Sequence, residues 1–431
     1  MRTLFLIRPL VLAGLLCSLF FRTGFTQTVK TWTLAECLEL AKVFHPVARQ
    51  PELLSRIHEL DDQQVRASRL PRLELLGSAG VQSEPIRFPF ELPGVPSLDL
   101  PIYNARTFVR AEYALYDGGL AKARSSRGRA ELQAELSRVA VDLHALNEEV
   151  TRVYFQLLLL REKEHIVEAA RESLRARLAQ TRALVRNGVL LQGQAEKLEV
   201  RDLELEAELA GLRAGREAAR ASLSALIGQP VAEADRFALP EHPGFAFTDD
   251  HRRPEQAYFR SQQEALLASE ELLNARRRPR VLLTAQGGVG YPNPLNFFDA
   301  EISPYGMAGL QVQWDIWDWG QTRRDRQVLA LQSQLVENRE ALFDYQLEVR
   351  EGRARADIRT LEQQLARDRR IAELQERILE QEAARLDQGA ATPAEYVEQL
   401  NRSLQSRLSY QAHRIAWIQQ QTQYLIQKGT L

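Results

Sequence analysis

The chain has 431 residues, and its 56 Lys and Arg residues against 57 Asp and Glu leave a formal charge of -1. So even a balance gives no bulk field for nucleic acid or an anionic surface, and no nucleic-acid partner is expected. Cys17 and Cys37 are the only cysteines, which excludes a disulfide framework and a cysteine metal site.

From the N-terminus, Arg2 precedes an apolar run from Leu4 to Phe21 broken by Arg8 and Pro9, followed by the small polar stretch Thr23–Thr28. This reads as a signal peptide over residues 1–27. A lipidated Cys17 is one alternative, although Leu16 precedes it where lipidation would call for a small residue, and an uncleaved N-terminal anchor is another; cleavage of the signal removes Cys17. That leaves Cys37, placed in a helical pattern where a buried, inert role is expected.

A helix is predicted from Leu34, with Thr33 as N-cap and Glu36 at the capping-box spacing. Pro46 and Pro51 disturb it, and it resumes from Leu53 to Leu70. Leu73–Gln82 then turns small and apolar, and a loop follows with Pro85, Pro89, Pro93, Pro96 and Pro101. Thr107, Val109, Ala111, Tyr113 and Leu115 alternate with Phe108, Arg110, Glu112 and Ala114, the period-two mark of a strand with unlike faces.

Tyr116-Asp117-Gly118-Gly119 breaks that strand and starts a long helix running to Asn187. Leu132, Val139, Leu146, Val153, Leu160, Val167 and Leu174 recur every seven residues, with Leu136, Leu143, Val150 and Leu157 between them. Together they make the a and d stripe of a coiled coil. A rod of this length, about 100 Å at 1.5 Å per residue, needs neighbours along all of it. After the turn at Asn187-Gly188, Leu198, Leu205, Leu212, Ala219 and Leu226 bring the chain back.

The second half repeats the first. Pro254 answers Pro46 and Arg278-Pro279-Arg280 answers Leu70-Pro71-Arg72, both at an offset of 208; Trp317-Asp318-Trp319-Gly320 answers Tyr116-Asp117-Gly118-Gly119 and Gly389 answers Gly188, both at 201. The missing seven residues fall in the loop between the strands. The chain is thus a tandem duplication: residues 28–228 form a first repeat of helix, two strands and long helical hairpin, 229–253 a Pro-rich linker set as an equatorial belt, and 254–431 a second repeat. The fold class is mainly α with β.

Four strands of about ten residues suit a tilted crossing of a bilayer. Four cannot close on themselves, and an open edge is not tolerated in lipid. Three copies would give a twelve-stranded barrel. Tyr113, Tyr116, Trp314, Trp317 and Trp319 stand where strands meet helices, as an aromatic belt at a membrane-lipid interface would; a hydrophobic cluster in a soluble sheet is the alternative.

In this order and spacing, the duplication, the strand starts at Pro71-Arg72-Leu73 and Pro279-Arg280-Val281-Leu282, the aromatic-Asp junctions and the turn glycines resemble the TolC-like outer-membrane efflux proteins. The resemblance implies an outer-membrane homotrimer with an α-helical barrel extending into the periplasm. It also implies a passive exit duct of a tripartite efflux or type I secretion system, served by a periplasmic adaptor and an inner-membrane transporter. Adaptor-contacting tips map to Asn187, Gly188, Val189 and Leu190 and to Gln388, Gly389 and Ala390, with amides where family members carry an apolar residue. Acidic positions of the periplasmic entrance map to Glu395 and Glu398, with Gln194 at the matching place in the first repeat. Glu395 equally suits an ordinary first helical turn. The Tyr and Arg latch of some members has Leu386 and Ala391 in its place.

Nothing catalytic stands out. His45, His58, His144, His165, His242, His251 and His413 are scattered without metal spacing, and Gly287-Gly288-Val289-Gly290 lacks the Lys-Ser/Thr of a phosphate loop. No enzyme activity, cofactor or metal is expected. A periplasmic coiled-coil adaptor or scaffold protein remains the alternative reading.

Overall fold

The computed structural model describes residues 29–85, 101–242, 245–248, 250–296 and 299–430. The expected signal peptide, and Pro89, Pro93 and Pro96 of the first loop, lie outside the described residues. By its internal contacts the chain forms two compact units, each drawing on both sequence repeats.

The first unit comprises the described residues of Met1–Leu40, Val153–Glu241 and Leu374–Gln411. It holds β1 (Thr31–Trp32), most of α1 (Leu34–Phe44), the later part of α3 (Leu120–Arg186), α4 (Gln192–Ile227) and β4 (Arg236–Phe237). The end of α6 (Gln321–Asp387) and the start of α7 (Pro393–Lys428) complete it. The seam positions Val167, Leu174, Leu198 and Leu205 pack with Tyr396 and Leu400 into one core. Each fully buried leucine contributes about 1.5–3 kcal/mol.

Beneath this helical pattern lies a small parallel sheet, Thr31 beside Arg236 and Trp32 beside Phe237. Asp235 ties it together, accepting hydrogen bonds from Lys30 N at 3.1 Å and Trp32 Nε1 at 2.9 Å. The Tyr154 hydroxyl lies 2.9 Å from Trp32 O and 2.5 Å from Ala238 O. Among its described residues, the linker 229–253 contains β4 and no helix. Thr33 caps α1 as predicted, taking the Glu36 amide at 3.2 Å. The Glu36 carboxylate instead pairs with Lys30 at 2.6 Å, so only half of the capping box forms. Cys37 is fully buried, and burial pushes its thiol up to about 12.

The second unit comprises Ala41–Arg152, His242–Glu373 and the described residues of Ala412–Leu431. The predicted helix 34–70 is interrupted: a 3-10 turn at Pro46–Arg49 separates α1 from α2 (Gln50–Ala67). Pro51 does not break α2, because it stands in its first turn, where no intrahelical N–H is needed. β2 (Arg72–Val81), β3 (Tyr103–Tyr116), β5 (Arg280–Tyr291) and β6 (Ser303–Gln313) form an antiparallel sheet in that order, after α5 (Pro254–Arg276) in the second repeat. β3 begins four residues earlier than the alternation at Thr107 indicates. β2 and β6 are the edges, 10 and 11 residues long, each with one side unpaired among the described residues.

α3 and α6 are each 67 residues long, about 100 Å at 1.5 Å per residue. Along α6, Val328, Leu331, Leu335, Leu342, Tyr345 and Val349 recur at steps of three, four and seven residues, yet all six are exposed. They form an a and d seam that nothing within the unit covers.

Candidate functional site

In the first unit, the candidate site is the pair of helical turns. Gly188 has φ 73° and Gly389 φ 71°. Nothing stands within 4 Å of where their Cβ atoms would lie, so backbone conformation rather than space calls for glycine. Val189 N donates to Leu184 O at 2.9 Å and Gly188 N to Val185 O at 3.0 Å. Ala390 N donates to Arg385 O at 2.8 Å and Gly389 N to Leu386 O at 3.1 Å. Both turns are therefore Schellman caps. Asn187, Gly188, Val189, Gln388, Gly389 and Ala390 are exposed, and Leu190 is half-buried.

The two returning helices start differently. Thr392 and Glu395 form a full capping box: Thr392 N donates to Glu395 Oε2 at 2.7 Å, and Glu395 N to Thr392 Oγ1 at 3.3 Å. These bonds hold the Glu395 carboxyl below the usual range. At the same places in the first repeat, Leu191 offers no capping side chain and the Gln194 side-chain oxygen has no partner among the described residues. Glu398 is exposed and pairs with Arg402 at 2.5 Å. One carboxylate is thus committed to a helix start and the other to an arginine one turn on.

In the second unit, the sheet has two unlike faces. Register places Leu73, Leu75, Gly77, Ala79 and Val81 of β2 level with Ala111, Val109, Thr107, Ala105 and Tyr103 of β3. The same face continues through Leu283, Ala285, Gly287, Val289 and Tyr291 of β5 to Leu310, Ala308 and Gly306 of β6. No charged residue stands on it, although Leu75 is 74% and Val109 47% exposed. Every charge of the four strands lies on the opposite face: Arg72, Glu74, Arg106, Arg110, Glu112 and Arg280.

Aromatic rings mark both ends of the apolar face. Tyr113 and Tyr116 stand at one end with Trp314, Trp317 and Trp319, all exposed. Tyr103 and Tyr291 stack at the other, 5.4 Å between centroids and 15° between planes. Sequence reasoning missed that second row. Its signal was Tyr103 standing an even number of residues before Tyr113, hidden because the proline-rich loop masked the start of β3. From Tyr103 to Tyr113 the strand runs about 33 Å, or about 25 Å in height at a 40° tilt.

The junctions after the sheet are capped by aspartates. Asp117 accepts the amides of Gly119 and Ala121, both at 2.9 Å. Asp318 accepts those of Gly320 and Thr322, both at 3.0 Å, and its carboxyl is lowered from 3.8 to about 2, chiefly by the Thr322 hydroxyl. Gly118 in the first junction has φ 68°, and Trp319 at the same place in the second has φ 54°, a left-handed conformation that costs a bulky residue strain. Trp314 Nε1 donates to Arg277 O at 3.0 Å. The Arg278 guanidinium reaches Gly118 O at 3.4 Å. Among the described residues no cluster of His, Cys, Asp and Glu is arranged to hold a metal, and no helix is long and apolar enough to cross a membrane.

Two long helical hairpins and a four-stranded sheet give this chain the fold of solved outer membrane channels. Residues 48–229 match the family described as outer membrane efflux protein, and the resemblance drawn from the duplication and its motifs holds. Among solved structures, the outer membrane protein VceC of Vibrio cholerae matches at TM-score 0.66 and 17% identity, over 92% of this chain and 96% of that one. The CmeC outer membrane channel of Campylobacter jejuni matches at 0.66 and 14%, over 92% and 85%. The open state of the Neisseria gonorrhoeae MtrE outer membrane channel matches at 0.65 and 17%, over 92% and 89%. No curated protein matches the chain by sequence.

Proposed function

We propose that three copies of this chain form an outer-membrane exit duct, with a twelve-stranded barrel in the membrane and paired helices extending into the periplasm. The observation that carries the reading is the division of the sheet into a wholly uncharged face and a face bearing all the charges. In water an exposed apolar face of this size is a liability; against hydrocarbon it is the required surface. The matched free edges of β2 and β6 support closure by other copies, since the strand alternation stays antiparallel when β6 of one copy meets β2 of the next. The uncovered seam on α6 supports the same closure at the level of the helices.

The duct works passively, with cargo supplied through an inner-membrane transporter and a periplasmic adaptor. The exposed turns around Gly188 and Gly389, with Val189, Leu190 and Ala390, are the surface offered to the adaptor. Glu395 and Glu398 with Gln194 ring the entrance, and the capping and pairing of both acids favour a structural role there alongside any effect on cations. Extraction tests the whole. The protein is expected in the outer-membrane fraction, resistant to urea and released by detergent as a trimer. A mature protein recovered as a water-soluble monomer would overturn the reading.

A further inference from the structure

On the polar face of the sheet, one cross-strand row is not polar. Leu76, Phe108, Gly288 and Tyr305 are register partners on four successive strands. Phe108 and Tyr305 are each only 7% exposed, with ring centroids 6.3 Å apart. Gly288 between them makes this possible, because a Cβ there would come within 2.5 Å of Phe108 Cα and Cβ. Two residues to either side along β3, the guanidinium carbons of Arg106 and Arg110 sit 5.7 and 5.5 Å from the Phe108 centroid. Neither arginine has a carboxylate partner among the described residues. Arg106 donates to Ser78 Oγ at 3.1 Å, and Glu74, level with Arg110, is engaged by Arg72 at 2.9 Å. The Tyr305 hydroxyl is buried and has no hydrogen-bond partner among the described residues.

Two guanidinium groups held beside an aromatic ring, neither with a carboxylate bound to it, present planar donor forks that fit carboxylate, sulfonate or phosphate. The ring edges beside them offer contact to an apolar body. Four arginines and two glutamates give the polar face a net charge of +2 per copy, and rotational repetition multiplies it around a lumen. We propose that Phe108, Tyr305, Arg106 and Arg110 form an arginine and aromatic collar inside the strand barrel, whose ligands are organic anions carrying an apolar body. The proposal rests on the polar face lining the duct.

The test uses the full trimer in lipid vesicles, with Cys37→Ala as background and Gln286→Cys as reporter, since Gln286 is level with Arg110 on the polar face. Its reaction rates with the anionic sulfonatoethyl and the cationic trimethylammonioethyl methanethiosulfonate are each normalised to a free thiol. The anionic reagent is expected to be favoured by about tenfold or more. The preference should vanish with Arg106→Gln and Arg110→Gln together and survive the paired lysine substitutions, which keep the charge should the glutamine pair fold poorly. Naphthalenesulfonate should protect the thiol better than equimolar sulfate. Equal rates, a cationic preference, or equal protection by sulfate would each overturn the collar. If Gln286→Cys is sealed from both reagents while Val109→Cys reacts, the polar face does not line a duct, and it is the reading of the fold that fails.

Discussion

Val109 is the sharpest place to ask whether the apolar face meets lipid. It lies six residues from Tyr103 and four from Tyr113 on the same face of β3, about 15 Å and 10 Å in height at a 40° tilt, which puts it near the middle of the apolar band. An arginine at a bilayer midplane costs about 2–4 kcal/mol, so Val109→Arg in three copies burdens the assembly by about 6–12 kcal/mol. Were the face in water, a 47% exposed position would tolerate the same change within about 0.5 kcal/mol. Folding into vesicles, followed by urea titration of the shift in gel mobility on heating, reads the difference. Val109→Arg should drop sharply in midpoint and disappear from the outer-membrane fraction. Gln311→Arg, on the polar face, should behave as the unaltered protein. A Val109→Arg protein with an unchanged midpoint would refute the assignment of the faces.

The unlike starts of α4 and α7 make a second test. Installing Leu191→Thr with Gln194→Glu should stabilise the first hairpin by about 0.5–2 kcal/mol, and Thr392→Ala should cost the second a similar amount, both measured as shifts in thermal midpoint. Lys428 is fully buried with its ammonium 2.7 Å from Glu351, so Glu351→Gln alone should cost about 3–5 kcal/mol; Lys428→Met with Glu351→Leu should recover most of that loss, and a double variant as weak as the sum of the singles would count against the pairing. Trp319→Gly should relieve about 1 kcal/mol of left-handed strain in detergent, whereas Trp319→Ala should relieve little, since alanine shares the penalty. The Asp318 carboxyl is depressed in the folded chain, so its stabilisation of the α6 start is complete above pH about 4 and is lost as pH falls through about 2. Hydrogen exchange of that first turn across an acid titration should show this loss, and Asp318→Asn should abolish the dependence.

Much of the architecture was legible because it is local and repeated. Seven-residue spacing fixed α3, the offsets of 208 and 201 exposed the duplication, and the glycines Gly188 and Gly389 announced the turns, where both take positive φ. The β1 and β4 pair was not legible. Each has two residues, they lie about 200 positions apart, and what joins them is Asp235 and the hydroxyl of Tyr154. The alternation in β3 gave two faces, but the burial of Phe108 depends on Gly288 being level with it on another strand, which no spacing within β3 encodes. Around Glu395 the sequence left an acidic entrance and a helix start side by side; the hydrogen bonds to Thr392 show the helix start, which depends on side-chain rotamers.

The bare stripe from Val328 to Val349 has a consequence for how the protein is made. On the proposed three-copy assembly, a lone subunit carries a ready-made sticky edge, so every moment spent waiting for the other copies is a moment in which it adheres to whatever else is nearby. Supply must therefore be paced against encounter, and overproducing the chain should yield clumped material long before it saturates the membrane.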